Sequence, residues 1–255
     1  HTVPVIRANR PDGSLLAVVF GYACHGTVLD GYQWSGDYPG FAQAEIEAAH
    51  PGARALFFAG CGGDQNPMPR RTVERARQYG RELAAAVDRV LNETMTPLDP
   101  TIDTHYREIE LALAELPGVD RLADLVQSTT GYEQRCYARL LADARGGRVF
   151  PQTRPYPVQL WCLGKQTLLA LGGETVVDYA LFAKKMLGSD TIVMGYANGV
   201  VGYIPSERIL REGGYEGRVA QVVYGMPAPW AADVEKRVLG GIADSAREAG
   251  LDVKE

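Results

Sequence analysis

The chain has 255 residues, with 26 lysines and arginines against 31 aspartates and glutamates, for a net charge of −5. At 46% hydrophobic residues it can bury a sizeable core, while the acidic balance and the lack of a dense basic run argue against a nucleic-acid partner; Arg70-Arg71 and Lys184-Lys185 read as solvated helix ends. No apolar stretch reaches the ~20 residues of a membrane span, and no secretory signal peptide is visible.

The chain starts at His1 rather than methionine, and Val3 to Arg7 already reads as a strand. It is therefore expected to be a piece of a longer protein, so the missing signal peptide says nothing about compartment. Leu15 to Cys24 is a near-continuous apolar run, the pattern of a strand buried on both faces. Tyr38 to Ala49 predicts a helix with Pro39 in its first turn. Ala53 to Ala59 predicts a second buried strand, which runs into Gly60-Cys61-Gly62-Gly63-Asp64-Gln65-Asn66-Pro67. A long amphipathic helix follows from Thr72, a good N-cap, to Asn92. Ile102 to Leu113 alternates like a strand, and Leu116 to Arg145 holds two helices split near Gly131. Gly146 to Pro157, rich in turn residues, reads as a long surface loop. Val158 to Gly164 and Gln166 to Leu171 form a hairpin turning at Gly164-Lys165. A helix over Val176 to Leu187, a strand over Thr191 to Tyr196 and a closing helix over Ala228 to Ala249 complete the reading. The expected fold class is α/β, a mixed β-sheet core flanked by helices, with residues 1–255 forming one domain.

The four cysteines, Cys24, Cys61, Cys136 and Cys162, contain no Cys-x-x-Cys pair, which argues against a structural zinc site of that kind. Cys24 and Cys162 fall in apolar strands, where packing is the default role.

Three apolar strands end in small residues followed by a polar group: His25 in Ala23-Cys24-His25-Gly26-Thr27, Asp64 after Gly60 to Gly63, and Glu174 after Gly172-Gly173. His25 is the one histidine flanked by small residues at a strand's end. If the three strands are neighbours, these side chains meet at one sheet edge, a reasonable place for a divalent metal. The alternative is a buried histidine and a glutamate stabilised by a helix N-terminus. The Gly60 to Asn66 turn could cradle a phosphate through its N–H groups, but it lacks the Gly-Lys-Ser/Thr ending and a spaced dinucleotide fingerprint. Cys61 on that turn is a candidate nucleophile with no histidine fixed beside it. Tyr203, within Gly195 to Pro205, and Tyr215 lie in glycine-rich loops, and either alone reads as an aromatic anchor.

Taken together and in order, these segments resemble the catalytic domain of the neutral ceramidases, the non-lysosomal ceramide amidohydrolases. The resemblance runs from about Val3 to Tyr224. It is carried by Ala23-Cys24-His25-Gly26-Thr27 with Ser35-Gly36-Asp37-Tyr38-Pro39-Gly40-Phe41-Ala42, by Gly62-Gly63-Asp64-Gln65-Asn66-Pro67, by Gly172-Gly173-Glu174-Thr175, and by Asn198 to Glu207 followed by Gly213-Gly214-Tyr215-Glu216-Gly217. It implies one zinc ion held by two histidines, a glutamate and a tyrosine. On this chain those are His25, Glu174 and Tyr203, with the other histidine expected upstream. His1-Thr2 echoes that upstream stretch, but the residues after it do not match. The implied reaction is attack of metal-activated water on an amide (N-acyl, ceramide-like) or ester carbonyl, with Tyr215 stabilising the oxyanion. The family's serine falls on Asn66, which can offer a hydrogen bond but not a nucleophile, and this sets ceramide itself apart from the generic amide. Asp64 and Asp37 are expected to orient His25 or the Gly-rich turn. The resemblance also implies a small-molecule or lipid amide substrate, an extracellular or periplasmic location and an immunoglobulin-like domain beyond this chain. The rival reading is a non-catalytic module of the same fold that binds a lipid head group, a glycan or a protein.

Overall fold

The computed structural model describes residues 2–254; His1, the echo of an upstream histidine motif, lies outside them. The first layer is built from β1 (Val5–Asn9), β2 (Leu15–Tyr22), α1 (Asp37–Ala49), β3 (Arg54–Ala59) and α2 (Val73–Leu91). Strand β2 is central, antiparallel to β1 and parallel to β3. Helices α1 and α2 cover the sheet, and Val18, Phe20, Ala42, Ile46, Leu83 and Val87 form its core. Thr72 caps α2 by accepting from the Arg75 N–H at 3.2 Å, as its sequence position predicts. Ala76, Gly80, Leu83, Ala84 and Val87 are the buried stripe of this helix. A Cβ on Gly80 would stand 2.5 Å from Phe41 Cβ and 3.0 Å from the Tyr38 carbonyl, so a glycine is what allows α1 and α2 to pack this closely.

The second layer is a four-stranded sheet of β4 (Ile102–Ala112), β5 (Thr153–Leu163), β6 (Gln166–Leu171) and β8 (Ile192–Met194), in that order. Helices α3 (Val119–Ser128) and α4 (Gly131–Arg145) join β4 to β5. Between β6 and β8 come β7 (Glu174–Thr175) and α5 (Val177–Leu187). After β8 follow β9 (Tyr203–Ile204), α6 (Glu207–Glu212), a π-helical turn at Tyr215–Val219, α7 (Ala220–Val223) and α8 (Val234–Glu248). The architecture is thus mixed α/β. Among the described residues no helix is long and apolar enough to cross a membrane.

Four expectations are corrected. The predicted loop from Gly146 to Pro157 is shorter, because β5 begins at Thr153 and includes Pro155 and Pro157. The two prolines are two residues apart, so their missing N–H groups share one edge of the strand. β6 pairs with β5 only from Val158 onward, and beyond it the Gly172 N–H donates to the Pro157 carbonyl at 3.2 Å, so that edge asks for no donor from either proline. The closing helix starts at Val234 rather than Ala228. Pro227 and Pro229 keep a helix from starting here, and the segment bends and then meets the end of β4 through a Leu113–Trp230 bridge. Cys24 lies beyond the end of β2, not in the strand. Finally, the three polar-ended strands do not share one sheet: β2 and β3 belong to one, β6 to another and β7 to a two-stranded ladder. The layers are instead stitched by the Gly195 N–H donating to the Ala59 carbonyl at 3.0 Å, which brings the ends of β8 and β3 together.

Candidate active site

The geometry that matters most is a parallel ladder of two residues. In it β7 pairs with β9 so that Glu174 is the register partner of Tyr203 and Thr175 that of Ile204. Register partners in a ladder put their side chains on the same face. The Glu174 N–H donates to the Gly202 carbonyl at 2.8 Å and the Val176 N–H to that of Ile204 at 3.3 Å, which locks the register. Two side chains 29 positions apart in the chain are thereby set side by side.

His25 reaches the same place from the first layer. Just past β2, its N–H donates to the Gln65 carbonyl at 2.9 Å. Its ring Nε2 lies 3.0 Å from the Gly63 carbonyl, and the Tyr203 hydroxyl stands 3.4 Å from the same nitrogen. A carbonyl only accepts, so this network assigns the proton to Nε2 and leaves Nδ1 as the lone pair. Nδ1 faces the Tyr196 hydroxyl at 3.2 Å and Glu174 Oε2 at 3.8 Å. Gly63 itself is pinned to β7, its N–H donating to the Thr175 carbonyl at 2.9 Å. One glycine therefore carries both the contact that orients the imidazole and the contact that joins the Gly-rich turn to Glu174.

Glu174 is the hub. The residue is 9% exposed, and it accepts from the Tyr196 hydroxyl at 3.3 Å and from the Tyr224 hydroxyl. Burial, and after it the charge of Glu174, pushes the Tyr196 and Tyr203 hydroxyls well above the ordinary phenol range. Tyr224 is raised by burial and by its hydrogen bond to Glu174. These phenols are firmly protonated donors at neutral pH. Tyr215 opens the π-helical turn, a feature that recurs at functional sites. Its ring packs edge-on against Tyr203 with centroids 5.5 Å apart, and the residue is 45% exposed. Burial first, then Tyr132 and Glu174, raises its hydroxyl too.

His25, Glu174, Tyr203 and Tyr215 are thus brought together as the sequence reading expects. Asp64, Asn66 and Asp37 stand outside this cluster. The Asp64 carboxylate accepts from the Val177 N–H at 2.8 Å, so it caps the N-terminus of α5 from a distant turn instead of orienting His25. The orienting contact belongs to the Gly63 carbonyl. Asn66 is exposed, and its amide oxygen accepts from Thr27 Oγ1 and Arg70 Nη1, each at 3.2 Å. It ties two loops rather than donating toward the cluster. Asp37, buried, accepts from the N–H groups of Leu29 at 2.8 Å, Val28 at 3.3 Å and Tyr38 at 2.7 Å, and so fixes the loop after His25 rather than the ring. Cys61 is fully buried, accepts from Thr175 Oγ1 at 3.4 Å, and has its thiol pushed up to about 12 by burial, which removes it as a nucleophile. Tyr196 and Tyr224 are the members of the cluster that sequence reasoning did not single out. Tyr196 adopts a left-handed backbone (φ 59°) in Gly195-Tyr196-Ala197-Asn198-Gly199; a bulky residue there is a signal of constraint, but a sequence does not display it.

Among the described residues no group of three His, Cys, Asp or Glu side chains is placed to hold a metal. The cluster offers one histidine and one glutamate, with phenol oxygens around them. The only basic side chain within 4 Å of Glu174 among the described residues is His25, so a buried carboxylate is surrounded by electron-rich groups. The His25 ring, with one nitrogen held by a backbone carbonyl and the other free toward that carboxylate, has the second contact typical of a metal-bound imidazole. These residues fit part of a four-donor zinc shell, with a further ligand required.

Of two cavities in the chain, one touches the cluster. The larger, about 510 Å³, is lined by Cys24, Tyr38, Asn66, Met68 and Leu83 among others, and none of the clustered residues reaches it. A smaller cleft of about 290 Å³ has Tyr224 on its wall and so does touch the cluster.

The fold is that of the ceramidases. A ceramidase solved in complex with C2 matches with a TM-score of 0.68 at 15% identity, over 99% of this chain and 49% of its own. The neutral ceramidase from Pseudomonas aeruginosa matches with a TM-score of 0.67 at 17% identity, over 99% of this chain and 47% of its own. The chain therefore spans about half the length of these solved structures. No protein-family model matches the sequence, and no curated protein does.

Proposed function

We propose that the chain forms part of the catalytic face of a zinc-dependent hydrolase of the ceramidase type, acting on an N-acyl amide or ester. The observation that carries the reading is the Glu174–Tyr203 ladder pair with the His25 ring against it, Nδ1 facing Glu174 at 3.8 Å and Nε2 lying 3.4 Å from the Tyr203 hydroxyl. In this reading His25, Glu174 and Tyr203 would hold the zinc together with a histidine from outside this chain. Bound zinc would supply a Lewis acid for the scissile carbonyl and lower the pKa of water to about 7.

The chain's own residues do the rest. The Gly63 carbonyl keeps the proton on His25 Nε2, so the imidazole presents a neutral Nδ1. Tyr196 and Tyr224 donate to Glu174 and hold its two oxygens in fixed directions. Tyr215 has no hydrogen-bond partner among the described residues, is half exposed and stays protonated. Its hydroxyl is the free donor of the cluster and is assigned to the substrate carbonyl as negative charge develops on it. Because Asn66 is tied to Thr27 and Arg70, no side-chain nucleophile is invoked. Ceramide is the substrate suggested by the structural neighbours, with a generic N-acyl amide as the wider class.

The test is hydrolysis of N-acyl amide and ester reporters by the full-length protein and its Tyr215→Phe variant. The variant is expected to lose about 10²–10³ in kcat with little change in KM. Wild-type protein that binds zinc but turns over neither reporter would contradict the enzyme reading and favour a binding module. A variant with full kcat would remove Tyr215 from its role.

A further inference from the structure

The cleft beside Tyr224 has a charge the rest of the chain does not. It is walled by Arg139 and Asp143 of α4, by Arg148 and by Arg154 of β5, and floored by Leu140 and Val222. Three arginines and one aspartate thus line it, Arg139 and Arg148 exposed at its edge and Arg154 half-buried, in a chain whose acidic residues outnumber its basic ones. Asp143 is already taken, paired with Arg148 Nη1 at 2.6 Å, and the Arg148 guanidinium also lies over the Phe150 ring at 5.8 Å. Arg139 and Arg154 have no acidic partner within 4 Å among the described residues, although Arg154 is half-buried at the start of β5. With Asp143 taken by Arg148, the charges of Arg139 and Arg154 are left unneutralised in a concave site, where like charges repel. Planar, multidentate donors of this kind suit an oxyanion. Tyr224 also lines the cleft and its hydroxyl donates to Glu174, so a ligand seated here lies next to the candidate cluster.

We infer that this cleft binds an anionic group of the substrate, a phosphate, sulfate or carboxylate borne by the N-acyl compound next to its scissile bond. The assignment rests on the hydrolase reading above and narrows it, separating this chain's substrate from a neutral ceramide.

The test uses the full-length protein and two matched N-acyl reporters, one with a hydroxyl head and one with a phosphate head. The phosphate reporter is expected to have a KM at least about tenfold lower. Arg154→Gln and Arg139→Gln should each remove most of that preference, as loss of a charged hydrogen bond is worth about tenfold or more, and Arg154→Lys should restore part of it. Thermal melts of the variants separate loss of fold from loss of recognition. Inorganic phosphate should compete with the phosphate reporter in the wild type and not in the glutamine variants. Equal KM values for the two reporters in the wild type overturn the substrate assignment, and phosphate binding that persists alongside them marks free phosphate as the ligand. If neither reporter is turned over but calorimetry shows inorganic phosphate binding that Arg154→Gln abolishes, the hydrolase reading fails and the anion site stands. If phosphate binds equally well to the wild type and the glutamine variants, the anion site itself is refuted.

Discussion

Gly63→Ala is the substitution through which fold and site fail together. A Cβ at this position would stand 2.5 Å from the Glu174 carbonyl oxygen and 3.0 Å from that of Thr175. Both are main-chain atoms of β7, so no side-chain rotation relieves the contact. An ordinary carbon–oxygen contact is about 3.3–3.6 Å, so the Gly-rich turn must withdraw by about 1 Å. The bond from the Gly63 N–H to the Thr175 carbonyl, 2.9 Å long, is then stretched beyond hydrogen-bonding range. Overpacking of this kind costs about 1–3 kcal/mol and the lost bond about 1 kcal/mol more. The expected destabilisation is about 2–4 kcal/mol, or a drop in Tm of about 5–10 °C for a chain of this size. The same retreat carries the Gly63 carbonyl away from His25 Nε2, 3.0 Å distant, and frees the ring. Chemical denaturation gives the energy, and nitrogen NMR of labelled histidine reads the tautomer. A variant within about 0.5 kcal/mol of wild type, with the His25 ring signals unmoved, would refute the reasoning.

Two further outcomes follow from the packing. Trp230 is 1% exposed and its indole N–H donates to the Tyr203 carbonyl at 2.7 Å, so Trp230→Phe should cost about 2–4 kcal/mol in an unfolding titration; Gln221 Nε2 still donates to that carbonyl at 2.9 Å, so the β7–β9 ladder should survive. Among the thiols, burial pushes Cys24 up to about 11 and Cys61 up to about 12, so a raised pKa leaves about one thiolate in a thousand and one in ten thousand at pH 8. Alkylation at pH 8 followed by mass spectrometry should label the part-exposed Cys136 first and Cys61 last, and activity should survive; rapid labelling of Cys61 with loss of turnover would revive the cysteine-hydrolase alternative.

Local patterns were readable in the sequence because they are written in nearest neighbours. The strand β2, the stripe of α2 with its Thr72 cap and the Gly164-Lys165 hairpin all appear at the expected positions, although β2 buries only Val18, Phe20 and Gly21 and leaves Leu16 exposed instead of being buried on both faces. The misses share a cause, which is that contacts distant in the chain override local composition. Pro155 and Pro157 look like a loop until the one-sided pairing of β5 is seen. Trp230 sits in a stretch that reads as helix, yet its segment ends up on β4. Within the site, His25 and Glu174 stood out because each polar group ends an apolar strand. The β7–β9 ladder is two residues long and leaves no periodic trace, so the side-by-side placement of Glu174 and Tyr203 came from resemblance alone. Tyr196 and Tyr224 are tyrosines beside glycines, indistinguishable in sequence from surface anchors. Asp64 was read as serving His25 because the two segments meet, whereas its carboxylate goes to the first free N–H of α5.

The central claim is that His25, Glu174 and Tyr203 share one cation. Elemental analysis of the purified full-length protein, beside its His25→Ala, Glu174→Ala and Tyr203→Phe variants, tests it most directly. The account predicts one zinc per wild-type chain, none in the first two variants and a weakened site in the third. Stoichiometric zinc retained in folded His25→Ala or Glu174→Ala protein would contradict it.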